Sequence, residues 1–201
     1  MAQLVENRES SSGLSLAIRL RQDSSEAWGE LVDLYGPLVE TWSAKAGLAP
    51  SAREDVAQEV FLSIVRSIDR FDPTIPGATF RGWVWRITRN AVLKHLAGGE
   101  PRGTGGSTAN AAMAAVADPW PEASEFEPPP DASATTQLLQ RAIAQIKPRV
   151  EPRTWQAFWR TVMLGQPTAE AADALGMTRA AVRQAKSRTL HRLRQQLGDV
   201  I

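Results

Sequence analysis

Residues 168–187 read TAEAADALGMTRAAVRQAKS, and the small residues of this stretch stand where two helices joined by a tight turn need them. Ala172 is small at the point of closest helix approach. Gly176 sits where the chain must turn through positive φ, a conformation that is costly for any residue with a Cβ. Thr178 follows as the N-cap of the second helix. Leu175, Met177, Val182 and Ala185 form the inward face, and Leu190, Leu193 and Leu197 continue it, so the second helix is expected to run past Ser187. Gln184, Ser187, Arg188, His191 and Arg194 lie opposite, with Arg183 on the flank. The pattern predicts a helix-turn-helix.

Charge gives this motif a direction. From Thr178 to Leu197 the charged residues are Arg179, Arg183, Lys186, Arg188, Arg192 and Arg194, and none is acidic. The whole chain carries 23 Lys plus Arg against 22 Asp plus Glu, so the positive field is local and belongs to the helix that would enter a major groove. Arg and Gln side chains also make the two-pronged bonds that read guanine and adenine edges. Charge alone fits a helical hairpin with a solvated basic face equally well; the spacing of Ala172, Gly176 and Val182 favours DNA binding. His191 has no acidic or histidine neighbour to suggest catalysis or metal binding, and is read as solvated or phosphate-facing.

Upstream of the motif, residues 97–135 are rich in Gly, Pro, Ala and Ser, including Pro128, Pro129 and Pro130. Such a stretch buries too little apolar area to offset its chain entropy, and is read as a flexible linker with at most a transient Ala-rich helix. Both flanks read as helical. Leu31, Leu34, Tyr35 and Leu38 recur at helical spacing before Gly47 and Pro50 interrupt. Ser51 with Glu54 reads as a capping box opening a helix to about Ile68, with Val56, Val60 and Ile64 on its core face and Phe61, Val65 and Ile68 beside them. Phe71-Asp72-Pro73 ends it, a turn through Pro76 and Gly77 follows, and a further helix runs from about Thr79 to Leu96. In the third zone Pro148, Pro152 and Gly165-Gln166-Pro167 mark helix boundaries. No alternating strand pattern appears. The expected fold class is all-α: two small helical domains, residues 1–96 and 136–201, joined by the linker over 97–135.

Composition narrows the function classes. With 43% hydrophobic and 22% charged residues the chain can bury a core, which argues against global disorder. The absence of cysteine excludes disulfides, thiolate metal sites and cysteine nucleophiles, and suits a cytoplasmic setting. Glu6 and Glu9 interrupt the N-terminal stretch, so it does not read as a signal peptide. No run of about 18 apolar residues suggests a membrane span.

Two segments of the first helical zone carry further signals. Asp55, Gln58, Glu59 and Leu62 fall on one helix face, turned away from the Val56 stripe. That face suits a docking surface or, taken by itself, plain solvation. From Thr79 to Ala97, Arg81, Arg86, Arg89 and Lys94 stand without an acidic neighbour among the aromatics Phe80, Trp83 and Trp85. Cations interleaved with aromatic rings follow phosphates and stack on bases, as in single-strand recognition. Trp83 and Ile87, four apart, fit a core stripe, so Trp83 is read as structural; Trp85 lies on another face and is left unassigned.

In order and spacing these segments resemble the extracytoplasmic-function (ECF) family of RNA polymerase sigma factors over nearly the whole chain. Asp55, Gln58, Glu59 and Phe61 match the family's D-x-x-Q-E-x-F pattern. The resemblance implies that this helix, with Leu62, docks on the β′ clamp helices of the core polymerase. Phe80, Arg81, Trp83, Ile87, Arg89 and Asn90 match the strand-opening and minus-ten phrase. By the same resemblance Asn90 would hold a flipped non-template base, Phe71 would lie near that pocket, and Arg81, Arg86 and Arg89 would contact DNA. The helix-turn-helix occupies the place of the minus-thirty-five reader, implying DNA contacts from Thr178, Arg179, Arg183, Gln184, Ser187 and Arg188. The phrases PRGTGGS at 101–107 and TWQAFWR at 154–160 look like those of a planctomycete-like subgroup. Two departures stand out: Lys94-His95-Leu96-Ala97 replaces the arginine run common after the minus-ten helix, and Val150-Glu151-Pro152 replaces a Leu-Pro.

The resemblance further implies that core polymerase, including its β flap, and promoter DNA are partners, with an anti-sigma factor as an additional one, and that the chain needs no cofactor. A different class, a stand-alone helix-turn-helix regulator, would require a ligand-sensing or dimerising N-terminal domain and a palindromic operator. An enzyme built on Glu54, Asp55, Glu59 and His95 is disfavoured, since no metal spacing, phosphate loop or nucleophile motif accompanies them.

Overall fold

The computed structural model describes residues 16–72, 74–75, 78–98, 119, 124 and 127–197. The expected turn through Pro76 and Gly77, the PRGTGGS phrase and most of the expected linker, with its Ala-rich stretch, lie outside the described residues. Within them the chain is helical, with no strand. No described helix is long and apolar enough to cross a membrane. Contacts group residues 20–138 with one another, and residues 16–19 with 139–197.

The first group is built on α2 (Ser25–Lys45), α3 (Pro50–Ser67) and α4 (Phe80–Leu96), which pack pairwise. Ser24 caps α2, its hydroxyl accepting from Ala27 N. Pro37 lies inside that helix and removes one backbone donor, a defect of about 3 kcal/mol in an isolated helix. Burial of Leu31, Leu34, Tyr35, Leu38 and Trp42 along the same helix offsets it. The Ser51–Glu54 capping box does not form: α3 starts two residues earlier than that cap implies, at Pro50, whose locked φ suits a first helical position, and Ala49 is an N-cap without a side-chain bond. Val56, Val60 and Ile64 are buried as the spacing predicts, and α3 closes in a 3-10 turn, Ile68–Arg70. Val65, placed beside the core stripe in sequence, is instead 51% exposed.

The core face of α4 is shifted from the expected Trp83–Ile87 line. Trp85, left unassigned, is fully buried edge-on against Trp42, while Trp83 and Ile87 are only half-buried. The inward face of α4 runs through Phe80, Val84, Trp85, Thr88 and Val92, so the core stripe is displaced by one to two positions from the Trp83–Ile87 line. The Trp85 indole donates to Ser124 O at 2.9 Å, and Lys45 pairs with Asp131 at 2.6 Å. Pro129 is buried as well. The end of the expected linker is therefore held on this group, and α5 (Ala132–Ile146) begins within it, capped by Asp131.

In the second group α6 (Pro152–Phe158) passes through a π turn, Trp159–Met163, before α7 (Thr168–Leu175) and α8 (Arg179–Leu197). Glu151 caps α6 with both carboxylate oxygens, accepting from Arg153 N at 2.9 Å and Thr154 N at 2.7 Å. These backbone bonds hold its pKa below the ordinary glutamate value. From α1 (Leu16–Arg21), Arg19 donates to Gln196 Oε1 at 2.9 Å, and Gln196 in turn donates to Gln145, a polar link beneath the C-terminal half of α8.

Candidate nucleic-acid and polymerase interfaces

The helix-turn-helix is assembled as its small residues predict. Ala157, Ala171, Ala172, Val182 and Ala185 form its buried centre, with Leu175 and Met177 packed against it. Gly176 adopts φ 57° and ψ 41°, the left-handed region that the turn requires. Thr178 Oγ1 accepts from Ala181 N at 3.1 Å and caps α8. Further along, the buried positions are Thr189, Leu193, Gln196 and Leu197. Leu190, counted with the stripe in sequence, is half-buried, because a step of four from Ala185 brings Thr189 onto the core line.

Arg179, Arg183, Gln184, Ser187 and Arg188 are all exposed, as are Thr178, His191 and Arg194. Arg192 differs: it is half-buried and donates to Arg149 O at 3.1 Å, so part of its charge is spent within the protein. A side chain absent from the sequence reading completes the motif. Arg153, from α6, donates through Nε and Nη2 to Leu175 O and through Nη2 to Gly176 O, at 3.0, 2.5 and 2.6 Å. The separation of more than twenty residues hid this contact, since no local periodicity links Arg153 to the turn.

On α3, Asp55, Gln58, Glu59 and Leu62 are exposed together, Leu62 at 53%, and Val65 joins them. The face thus combines acidic, amide and apolar groups away from the core. Glu59 pairs with Lys94 of α4 at 2.6 Å, a partner 35 positions away. Between exposed groups such a pair contributes little to stability.

The expected minus-ten residues are distributed unevenly. Asn90 is exposed and Arg86 and Arg89 are half-buried on α4. Phe71 is buried at 6% exposure and meets Phe80 edge-on and Trp83 at 5.5 Å, forming with them an aromatic cluster that Tyr35 extends. Arg21 secures this corner by donating to the Ile68 and Phe71 carbonyls. Arg81 is half-buried in the same group; burial lowers its pKa, while the neighbouring Tyr35 and Asp131 favour its charge. The Tyr35 hydroxyl, fully buried, is pushed well above its ordinary value. Arg81 is therefore partly withdrawn from solvent, unlike the open Asn90.

Residues 31–100 match the sigma-70 region 2 family. Similarity over most of this chain extends to curated sigma factors. BldN of Streptomyces coelicolor, an ECF RNA polymerase sigma factor, is 24% identical over 95% of this chain and 68% of its own length. RfaY of Xanthomonas campestris, a probable RNA polymerase sigma factor, is 28% identical over 86% of this chain, which spans 40% of that relative. CnrH of Cupriavidus metallidurans is 25% identical over 83% of this chain and 84% of its own length. A solved structure of CnrH in complex with the cytosolic domain of CnrY covers 89% of this chain and 92% of that chain at 21% identity, with a TM-score of 0.35. The region 2 helices and the helix-turn-helix define an RNA polymerase sigma factor. Within that class the chain is similar to ECF sigma factors such as BldN. The stand-alone regulator is not favoured, since region 2 occupies the part of the chain where its sensing domain would lie.

Proposed function

We propose that the chain directs promoter-specific initiation by docking on core RNA polymerase through α3 and reading promoter DNA with α4 and α8, while the polymerase supplies all bond-making chemistry. The observation that carries this reading is the division of α8 into two faces. Val182, Ala185, Thr189 and Leu193 are buried, and Arg183, Gln184, Ser187 and Arg188 are exposed. A helix with one packed face and one row of exposed guanidinium, amide and hydroxyl groups is what major-groove readout requires. For the upstream element we assign Thr178, Arg179, Arg183, Gln184, Ser187 and Arg188; for the minus-ten element, Arg86, Arg89 and Asn90 beside the Phe71 cluster, with Arg81 taking part in strand opening.

Asp55, Gln58, Glu59 and Leu62 are assigned to the β′ clamp helices. The exposed Leu62 and Val65 favour a protein partner, because more than half of each apolar side chain is open to water. In the second group the exposed Trp159, Met163 and Leu164 suit a β-flap contact. An anti-sigma factor is a further partner consistent with the family, and the PRGTGGS and TWQAFWR phrases favour the planctomycete-like subgroup. The cysteine-free composition fits work in the cytoplasm, without a cofactor.

The test is run-off transcription by core polymerase with the purified chain, paired with capture of core by Glu59→Lys. Specific transcripts are expected from the wild type. The variant should bind core less well yet melt nearly as the wild type, since exposed substitutions stay within about 0.5 kcal/mol. Unimpaired capture would show that α3 docks elsewhere, and absence of specific transcripts would end the reading.

A further inference from the structure

We propose that Arg153 is a positioning residue for promoter reading: by bonding the turn between α7 and α8 it sets the direction in which α8 meets DNA, without contacting DNA itself. The inference rests on α8 being the upstream-element reader. Its basis is the geometry of three bonds. Leu175 O belongs to the last residue of α7 and Gly176 O to the left-handed residue after it, carbonyls that a helix end leaves without intrahelical donors. One guanidinium satisfies both, and its charge sits at the negative end of α7. Arg153 is itself well placed to act as a fixed point, because its backbone N–H is held by the Glu151 cap and Pro152 precedes it at the start of α6.

Two further features explain why such a brace is needed. The centre beneath the turn is mostly alanine, from Ala157, Ala171, Ala172 and Ala185. Methyl groups let helices approach closely but interlock less deeply than larger side chains. The turn's own bonds, Gly176 N to Asp173 O and Met177 N to Ala172 O, close the end of α7 but do not tie it to another helix. Arg153 makes that tie. A Cβ built on Gly176 would stand 3.2 Å from Arg153 Nη2, so the glycine also leaves room for the guanidinium. Lysine cannot replace the fork, since a single ammonium has no rigid planar geometry to span two carbonyls.

The experiment compares holoenzymes carrying wild-type chain, Arg153→Lys, Arg153→Met and Arg188→Ala on a library of upstream elements at two salt concentrations. Melting of each free chain is measured in parallel. Both Arg153 variants are expected to lower the preference for the best element over single mismatches by about fivefold, the lower end of what one direct base contact supplies. The salt slope should not change, because no phosphate contact is lost. Arg153→Lys keeps charge and stem, and so carries the test if Arg153→Met fails to fold. A salt slope lower by about one with preference retained would make Arg153 a direct phosphate contact and overturn the proposal. A lower melting temperature with preference intact would reduce the residue to a structural one, which overturns it equally. If Arg188→Ala alone flattens the preference, only the role of Arg153 falls; if neither residue affects it, the assignment of α8 as reader falls as well.

Discussion

Arg188 and Arg194 are exposed on the same helix and carry the same charge, yet they lie in different halves of it. A recognition helix presents its N-terminal part to the bases, so Arg183 and Arg188 are within the reading portion and Arg194 is beyond it. Arg183→Ala or Arg188→Ala should relax preference at particular positions of the upstream element, each by about 1–3 kcal/mol against the wrong base. Arg194→Ala should weaken binding to all elements alike and lower the salt slope by about one. Holoenzyme binding across an element library at two salt concentrations checks both expectations. Equal, uniform losses for all three would reduce α8 to a source of charge. Arg192 is a poor member of such a series, because its bond to Arg149 O gives it a structural duty that the others lack.

Among the elements, the turn before α8 and the start of α6 make separate, measurable contributions. Gly176→Ala forces a Cβ into the left-handed region, which costs about 1–2 kcal/mol, and crowds Arg153 Nη2. Thermal or urea unfolding should show at least that loss, and a neutral outcome would mean that the turn relaxes freely. The start of α6 is sensitive to pH. Bonds from Arg153 N and then Thr154 N lower the Glu151 pKa in the folded state, so its ionised cap contributes stability in full above the unfolded value, near 4.5. That contribution is lost as pH falls through the lower, folded value. The melting-temperature difference between wild type and Glu151→Gln should therefore be constant near neutrality and shrink below about pH 4.5. A difference that is flat across this range would show that the charge of the cap is immaterial.

For the molecule as a whole, the informative segment is the one between α4 and α5. Between Lys94 and Arg141 the sequence offers trypsin one site, Arg102. Limited digestion should cut there first, in a stretch whose Gly-rich composition buries little apolar surface. The two products are expected to elute together from a sizing column at low salt. Ser124, Asp131, Ala134 and Leu138 belong to the downstream fragment but are held within the group formed by residues 20–138. Separation of the fragments would show that the Trp85 and Lys45 contacts do not persist in solution. First cleavage within α3 or α4 would contradict the order assigned to region 2.

Sequence by itself determined the all-α class, the helix-turn-helix and the two faces of α8. These follow from local rules: a glycine required at positive φ, a threonine that caps, and apolar residues at intervals of three and four. The same rules placed Val56, Val60 and Ile64 inside and Asp55, Gln58, Glu59 and Leu62 outside. They failed where two helices compete for one residue. Trp83 and Trp85 project from nearly opposite faces of a single helix, and packing against Trp42 of α2 holds Trp85 in the core. Thr189 replaced Leu190 on the core line of α8 because the packing phase, not hydrophobicity, decides which position faces inward. The Glu59–Lys94 pair, the Arg19–Gln196 link, the Asp131–Lys45 tie and the Arg153 brace were likewise decided only by tertiary structure. Each joins residues distant in sequence through long polar side chains, and no periodicity along the chain records which helices fold against one another.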